Sequence, residues 1–491
     1  MLNLSRDSRH GSTCMSTTGV SSSVTSPRRR WLRWLLVILL LFIGLLAGYY
    51  FYARWSLESE LAEVIAETDR LDPRWRLEDI EADRKKYRDE ENSALHVLGV
   101  SRVIGGSTPG FHRDHSRVFE DLSSPHQLNA QQLEMIEGAI ERIPEALVEA
   151  RKLKDMPDGR FALRFTAHGI DVLMDDQEQA RKVCDLLMHD AFLRAQQGDL
   201  DAAMESCMAL LNAARSLGDE PYVLTMFVRL AGDSIFVNAL ERTLAQGFPK
   251  EDSLRETQIR IRKECKDLPG HWLSVVRGAR TFNHRLFLAV HEGKVRVSEL
   301  NRPVRQQTTL WERFQEDLEM KRRAQDYPGY LRHMNDLVTA TQLPAAEQLK
   351  QVGSLEGAFD QKLNRWSVFG TPMQTPLHAY LRIQAELAAA ETGLACERFR
   401  LVHERWPESL AELVKAKLLN AVPTDPYDGQ ALRIAKRKDG MTVYSVGKDK
   451  EDHGGKIDPD GGSAPGTDLV FRLWDPKHRR QPPRPPVALE K

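Results

Sequence analysis

The sequence predicts a mainly α chain in three parts: a single N-terminal transmembrane helix, an irregular helical domain of hairpin type, and a small C-terminal α+β domain with a three-stranded antiparallel sheet. Three observations carry this. Trp34 to Ala53 is a run of twenty residues without a charge. From Ser56 to about residue 370 the apolar residues recur at helical spacing. Past Pro426 the apolar period changes to two.

The apolar run comes first. Twenty helical residues span about 30 Å, the thickness of the hydrocarbon core of a bilayer. Twelve of them are Leu, Ile, Val or Phe, and such residues favour insertion by roughly 0.3–0.6 kcal/mol each near the helix centre. The spanning helix is therefore placed at 31–55. Trp31 and Trp34 at one end, and Tyr49, Tyr50, Tyr52 and Trp55 at the other, suit the two headgroup interfaces. A cleaved signal peptide is the competing reading, with Ala47-Gly48 as small residues. Against it, the basic region begins late and the apolar run exceeds the usual ~7–15 residues.

Charge gives the expected orientation. Residues 1–33 carry Arg6, Arg9, Arg28, Arg29, Arg30 and Arg33 against Asp7 alone, a balance of +5, while the whole chain is −1. Basic flanks stay in the cytoplasm, which predicts an N-terminus inside and the bulk in the periplasm, across a bacterial inner membrane. The remainder is acidic, near −6, which speaks against nucleic acid as a partner. The expected partners are the lipid bilayer and an envelope protein. Residues 1–30, with eight Ser and four Thr before Arg28, read as a disordered tail.

Residues 56–370 form the expected helical domain. Ser56 to Leu71 is an amphipathic juxtamembrane helix stopped before Pro73. Leu200, Met204, Cys207, Met208, Leu211 and Ala214 make one continuous stripe, and Gly218 supplies a stop. Pro221 opens a partner helix with Leu224, Phe227, Val228, Ala231 and Ile235 on one face, so the two predict an antiparallel hairpin. Gln197-Gly198-Asp199 resembles a tetratricopeptide turn, but no second copy lies one repeat-length away. Cys184, Cys207, Cys265 and Cys396 are even in number and permit disulfides, a Cys184–Cys207 bridge among them. Buried free thiols fit equally well.

Composition shifts near 370. From Pro376 to Arg405 an Ala-rich helix carries Tyr380-Leu381, Leu387-Ala388, Leu394-Ala395 and Leu401-Val402, apolar pairs spaced by sevens. Short strands follow around Leu432–Ile434, Met441–Val446 and Asp468–Leu473, and residues 476–491 read as a Pro-rich disordered tail. In order, the chain shows a long helix, Trp406-Pro407-Glu408-Ser409-Leu410, Pro423-Thr424-Asp425-Pro426-Tyr427-Asp428-Gly429, a strand, Val443-Tyr444-Ser445-Val446-Gly447-Lys448-Asp449, a Gly/Asp-rich loop and Asp468-Leu469-Val470-Phe471. Residues 376–473 thereby resemble the C-terminal domain of the major, G-type pseudopilins of type II secretion systems. The resemblance implies a pilin-like α+β domain over 376–475 and a structural calcium ion in the loop between its last two strands. Asp449 and Asp468 match the family's acids and are the leading ligands, with Asp452 and Asp458 auxiliary. Calcium takes six to eight oxygens, which a loop rich in Asp and Gly can supply. The chain departs from that family in lacking a Glu in its apolar helix and a leader junction before it. The resemblance thus implies reuse of the fold on another protein, with a secretion-system component as the alternative.

No hydrolase, zinc-protease, phosphate-loop or dinucleotide motif occurs. His112-Arg113-Asp114-His115 reads as a polar loop, and adjacent His189 and Asp190 point about 100° apart on a helix. Lys321-Arg322-Arg323 reads as a solvated helix face. The expected function is an envelope scaffold or interaction protein, with an anchored hydrolase as the enzyme alternative.

Overall fold

The computed structural model describes residues 27–105, 122–163, 175–295, 326–363, 372–458 and 464–485, with Phe119, Thr309, Trp311 and Gln315. The Ser/Thr tail up to residue 26, the His112–His115 cluster, Lys321-Arg322-Arg323, Asp460 and the last residues from 486 lie outside them. Among the described residues, helices dominate and a single three-stranded sheet lies near the C-terminus.

The first helix, α1 (Pro27–Leu71), is unbroken from the basic flank through the segment expected as a separate juxtamembrane helix. No helix breaker separates Tyr52 from Ser56, so the backbone has no reason to stop there. Its apolar window has a mean hydropathy of 2.4 and is 0% buried, so it is long and apolar enough to span a membrane. A second helix, α8 (Val223–Gln246), passes the same test of length and composition, but 56% of its window is buried. It is a core helix of the body.

Residues 61–491 form one compact unit, distinct from the residues up to Glu60. The segments expected as separate domains, 56–370 and 376–475, are therefore not separate past residue 61. The centre of the unit is α6 (Asp175–Gln197), α7 (Leu200–Arg215) and α8, each packed on the other two. The predicted hairpin is α7 and α8, with Cys207, Met208, Leu211 and Ala214 of α7 buried. On α8 the expected face is not the buried one: Leu224 and Ala231 are exposed, Phe227, Val228 and Ile235 are half-buried, and Met226, Leu230, Phe236 and Val237 are buried instead. Gly218 ends it at φ +65°, where a Cβ would lie 2.6 Å from the Gly159 carbonyl oxygen. Only glycine takes that backbone at low cost. Helices α3 (Ser93–Ile104), α4 (Ala130–Ile140) and α5 (Pro144–Arg151) cover α6. A short α2 (Leu77–Asp83) packs on α9 (Glu251–His291).

The end of α1 is held by α9 and by α10 (Tyr327–Ala340). Asp72 accepts two 2.8 Å hydrogen bonds from the Arg277 guanidinium and pairs with buried Arg280. Asn335 Nδ2 donates to Thr68 Oγ1 at 2.9 Å, and Trp75 is wholly buried. Helix α11 (Ala345–Leu363) packs on α10 and on α12 (Gln374–His403).

Helix α12 joins the two expected domains. It packs against α8 and α9 and also against the sheet. Tyr380 stacks on Trp272 of α9 with ring centroids 5.5 Å apart. At Gly393 an added Cβ would come within 2.5 Å of the Phe471 ring. The sheet runs β1 (Arg433–Arg437), β2 (Gly440–Ser445), β3 (Leu469–Trp474) in spatial order, all antiparallel, close to the strands expected from the period of two. A one-turn helix α13 (Leu410–Lys415) precedes it.

Residues 476–481, expected in a disordered tail, dock instead. Arg479 is buried in an ion pair with Glu397, the Arg480 guanidinium donates to the Ala195 and Gln196 carbonyls, and Gln481 bridges to His126. Proline content drew attention from these arginines, whose buried carbonyl and carboxylate partners come from distant helices.

Candidate functional site

Two places carry the chemistry: the Asp/Gly loop between β2 and β3, and a polar cleft in the helical body.

The loop is closed largely by its own backbone. Asp468 is fully buried, and its carboxylate accepts from the N–H groups of Gly455 (2.6 Å), Lys456 (3.1 Å) and His453 (3.4 Å). Asp449 accepts from Gly466 (3.0 Å) and Glu451 (3.1 Å), and the Gly466 N–H chiefly holds its pKa below the usual carboxylate value. These two converge: His453 Nδ1 lies 3.9 Å from Asp449 Oδ2 and 3.8 Å from Asp468 Oδ1. Asp452 is turned away, accepting from Gly454 N–H (2.8 Å) and the Tyr444 hydroxyl (3.1 Å) and pairing with Arg433. Asp458 accepts from the Ala464 N–H at 3.0 Å. Among the described residues no group of three or more His, Cys, Asp or Glu side chains is arranged to hold a metal ion. Of the four expected ligands, Asp449 and Asp468 face a common neighbour, His453.

Asp425, in the Pro-Thr-Asp-Pro segment, organises the approach to this loop. Its buried carboxylate accepts from Tyr427 N–H (3.0 Å), Ser445 Oγ (2.8 Å), Val446 N–H (2.9 Å) and Arg433. It thereby ties the turn before β1 to the end of β2, and a carboxylate with that many donors is costly to remove.

The cleft has a volume of about 450 Å³ and is lined by Tyr87, Asp158, Arg215, Asp219, Lys266 and His271, among others. No local motif predicts it, because the lining comes from α7, α8, α9 and the connections before α3, after α5 and after α7. One signal was present in the sequence: Pro269-Gly270-His271 interrupts the middle of a long helical run. Proline there cannot donate to the Cys265 carbonyl, yet α9 continues through it.

Ion pairs build the walls. Glu264, with a fully buried side chain, pairs with Arg215 and with Arg229, whose Nη2 donates at 2.6 Å. Arg215 also donates to Asp158 (2.9 Å), Asp267 (3.1 Å) and the Pro157 carbonyl (2.8 Å), so all its nitrogens are engaged. Lys263 bridges Asp158 and Asp267, and Arg84 donates to Asp219 at 2.7 Å. Asp158 titrates at about 2; burial works against this, and Lys263 and Arg215 overcome it. The floor is different. His271 is 4% exposed; the Glu220 backbone faces its ring, but neither ring nitrogen closes a hydrogen bond of good geometry among the described residues. Burial holds it neutral, well below the ordinary histidine range. Arg229 Nε is likewise buried and unpartnered.

The other residues singled out from the sequence take structural roles. His189 Nδ1 meets the Asp185 carbonyl at 2.7 Å, while Asp190 binds Arg151 and the Ser206 hydroxyl. The four cysteines outside the tail are free thiols, with no Cys184–Cys207 bridge. No family model, curated protein or solved structure matches this chain.

Proposed function

We propose that this chain is a single-pass envelope protein, N-terminus in the cytoplasm, whose helical body and pseudopilin-like module together serve as a scaffold or interaction domain beyond the membrane. The observation that carries the reading is α1, an apolar spanning helix with a basic flank that runs unbroken to Leu71. Support for the pseudopilin-like part is a long helix laid on a three-stranded antiparallel sheet, with the acidic loop between its last two strands. A calcium ion in that loop would draw on Asp449 and Asp468; Asp452 and Asp458 are committed elsewhere. Binding is favoured over hydrolysis because Asp158, Asp219 and Asp267 are each claimed by an arginine or lysine. The carboxylates among the described lining residues are thus held by cations rather than free to orient His271 as a base.

Protease shaving of intact spheroplasts tests the layout. The expected outcome is loss of the C-terminal portion with a protected fragment of about 55 residues, the cytoplasmic tail together with the ~20-residue span. A C-terminal portion left untouched in intact spheroplasts and cut only after lysis would overturn the orientation.

A further inference from the structure

The floor of the cleft holds hydrogen-bonding groups that the folded chain leaves unused. The wall carboxylates Asp158, Asp219, Glu264 and Asp267 are matched by Arg84, Arg215, Arg229 and Lys263. What remains is the Arg229 Nε–H, buried and unpartnered among the described residues, the buried His271 imidazole, which faces the Glu220 backbone without closing a hydrogen bond of good geometry, and the Lys266 ammonium at the exposed rim. A buried donor without a partner destabilises the folded chain unless something accepts from it. Two at the bottom of one cavity point to a ligand that accepts from them. A cavity of about 450 Å³ suits a small molecule. At Gly270, next to His271, an added Cβ would meet nothing within 4 Å, so the helix backbone stands open to solvent there.

We propose that this cleft binds a small oxyanion, a phosphate or carboxylate group, with Arg229 Nε and His271 donating from the floor and Lys266 supplying the unmatched charge at the mouth. The site is independent of the scaffold reading and of the loop between β2 and β3. Arg229 is the anchor, because its other nitrogens are fixed by Glu264 and the Gly218 carbonyl and hold Nε in place. His271 gives one N–H and one acceptor nitrogen as a neutral ring. It therefore suits an oxyanion that carries a proton or a neighbouring hydroxyl.

The test is calorimetric titration of the full-length, detergent-solubilised protein with inorganic phosphate and, separately, with acetate, against potassium chloride at equal ionic strength. The expected result is saturable binding of at least one oxyanion above the chloride baseline; which one binds identifies the head group. Lys266→Ala should weaken it about tenfold, the scale of one charge-assisted hydrogen bond, and flatten its salt dependence. Gly270→Phe, which fills the cleft from the helix side, should abolish it. If Gly270→Phe fails to fold, Lys266→Ala together with His271→Phe decides. Absence of binding by both anions, or binding unchanged by every folded variant, overturns the proposal.

Discussion

Asp233 sits one helical turn beyond Arg229 on α8, with both carboxyl oxygens buried and unpartnered among the described residues. Burial pushes its pKa up to about 7, against the nearby positive charge of Arg229. A raised folded-state pKa means that the folded chain holds the proton longer than the unfolded chain does. Stability is then full below about pH 4, falls as the pH rises toward 7, and levels off above it. Between pH 5 and pH 8 this one group should cost about 2–3 kcal/mol. Glu220 and Glu241, also raised to about 7 by burial, tilt the curve the same way. Asp233→Asn should therefore flatten the loss between pH 5 and pH 8 without abolishing it, as read by urea unfolding at the two values. An unchanged slope would show that the carboxyl does not carry the proton. Residues like Asp233 and His271 are illegible in the sequence, because an ordinary Asp or His acquires its role from burial by distant helices. Asp449 and Asp468 were singled out through the pseudopilin resemblance, and the structure places both in the loop between β2 and β3, where they accept backbone N–H groups.

Elements were easier to read than residues. The positions of α7, α8, the long α12 and the three strands followed from apolar periods. The buried faces did not: α7 and β2 are buried nearly all round, and α8 turns Met226, Leu230 and Phe236 inward rather than Leu224 and Ala231. Less legible was the content of the loop between β2 and β3, where Asp carboxylates meet backbone N–H groups that periodicity cannot reveal. Those bonds bear on the calcium proposal. A carboxylate oxygen holding one N–H keeps a second lone pair, so Asp449 and Asp468 can accept a cation between them while the loop stays closed. EGTA should then lower the melting temperature of the full chain by about 2–4 °C, the shift expected when a bound ligand worth a few kcal/mol is removed from a large unit. The Asp449→Ala, Asp468→Ala double variant should melt low with or without chelator. If the wild type melts identically in EGTA and in calcium, the loop is held by its hydrogen bonds alone.

At the scale of the molecule, the expected border near residue 370 is not a domain border, because residues 61–491 form one unit. The pairs spaced by sevens on α12 suggested one apolar stripe, but the helix is buried on opposing faces. Toward α9 it presents Tyr380 to Trp272, with Glu391 pairing to Arg262 at 2.7 Å; toward the sheet it presents Gly393 to Phe471. Alanines between the large residues let both layers approach closely, which a stripe count cannot show. The exposed Leu401-Val402 pair is where the pattern runs past the packed region.

This arrangement predicts that residues 56–370 do not fold without α12. Leu377, Leu381, Leu387, Leu394 and Phe399 are all buried, and each such side chain contributes about 1.5–3 kcal/mol. Losing them removes roughly 10 kcal/mol, as much as the whole stability of a typical domain. It also uncovers Trp272 and leaves half-buried Glu241 without its Arg472 N–H donor. Expressed alone, the 56–370 fragment should bind a hydrophobic dye and melt without a cooperative transition, while the full chain's body should unfold in one. A sharp, cooperative melt of 56–370 with native-like helix content would mean that the two parts are separable, and that α12 is a strap added to a body already stable without it.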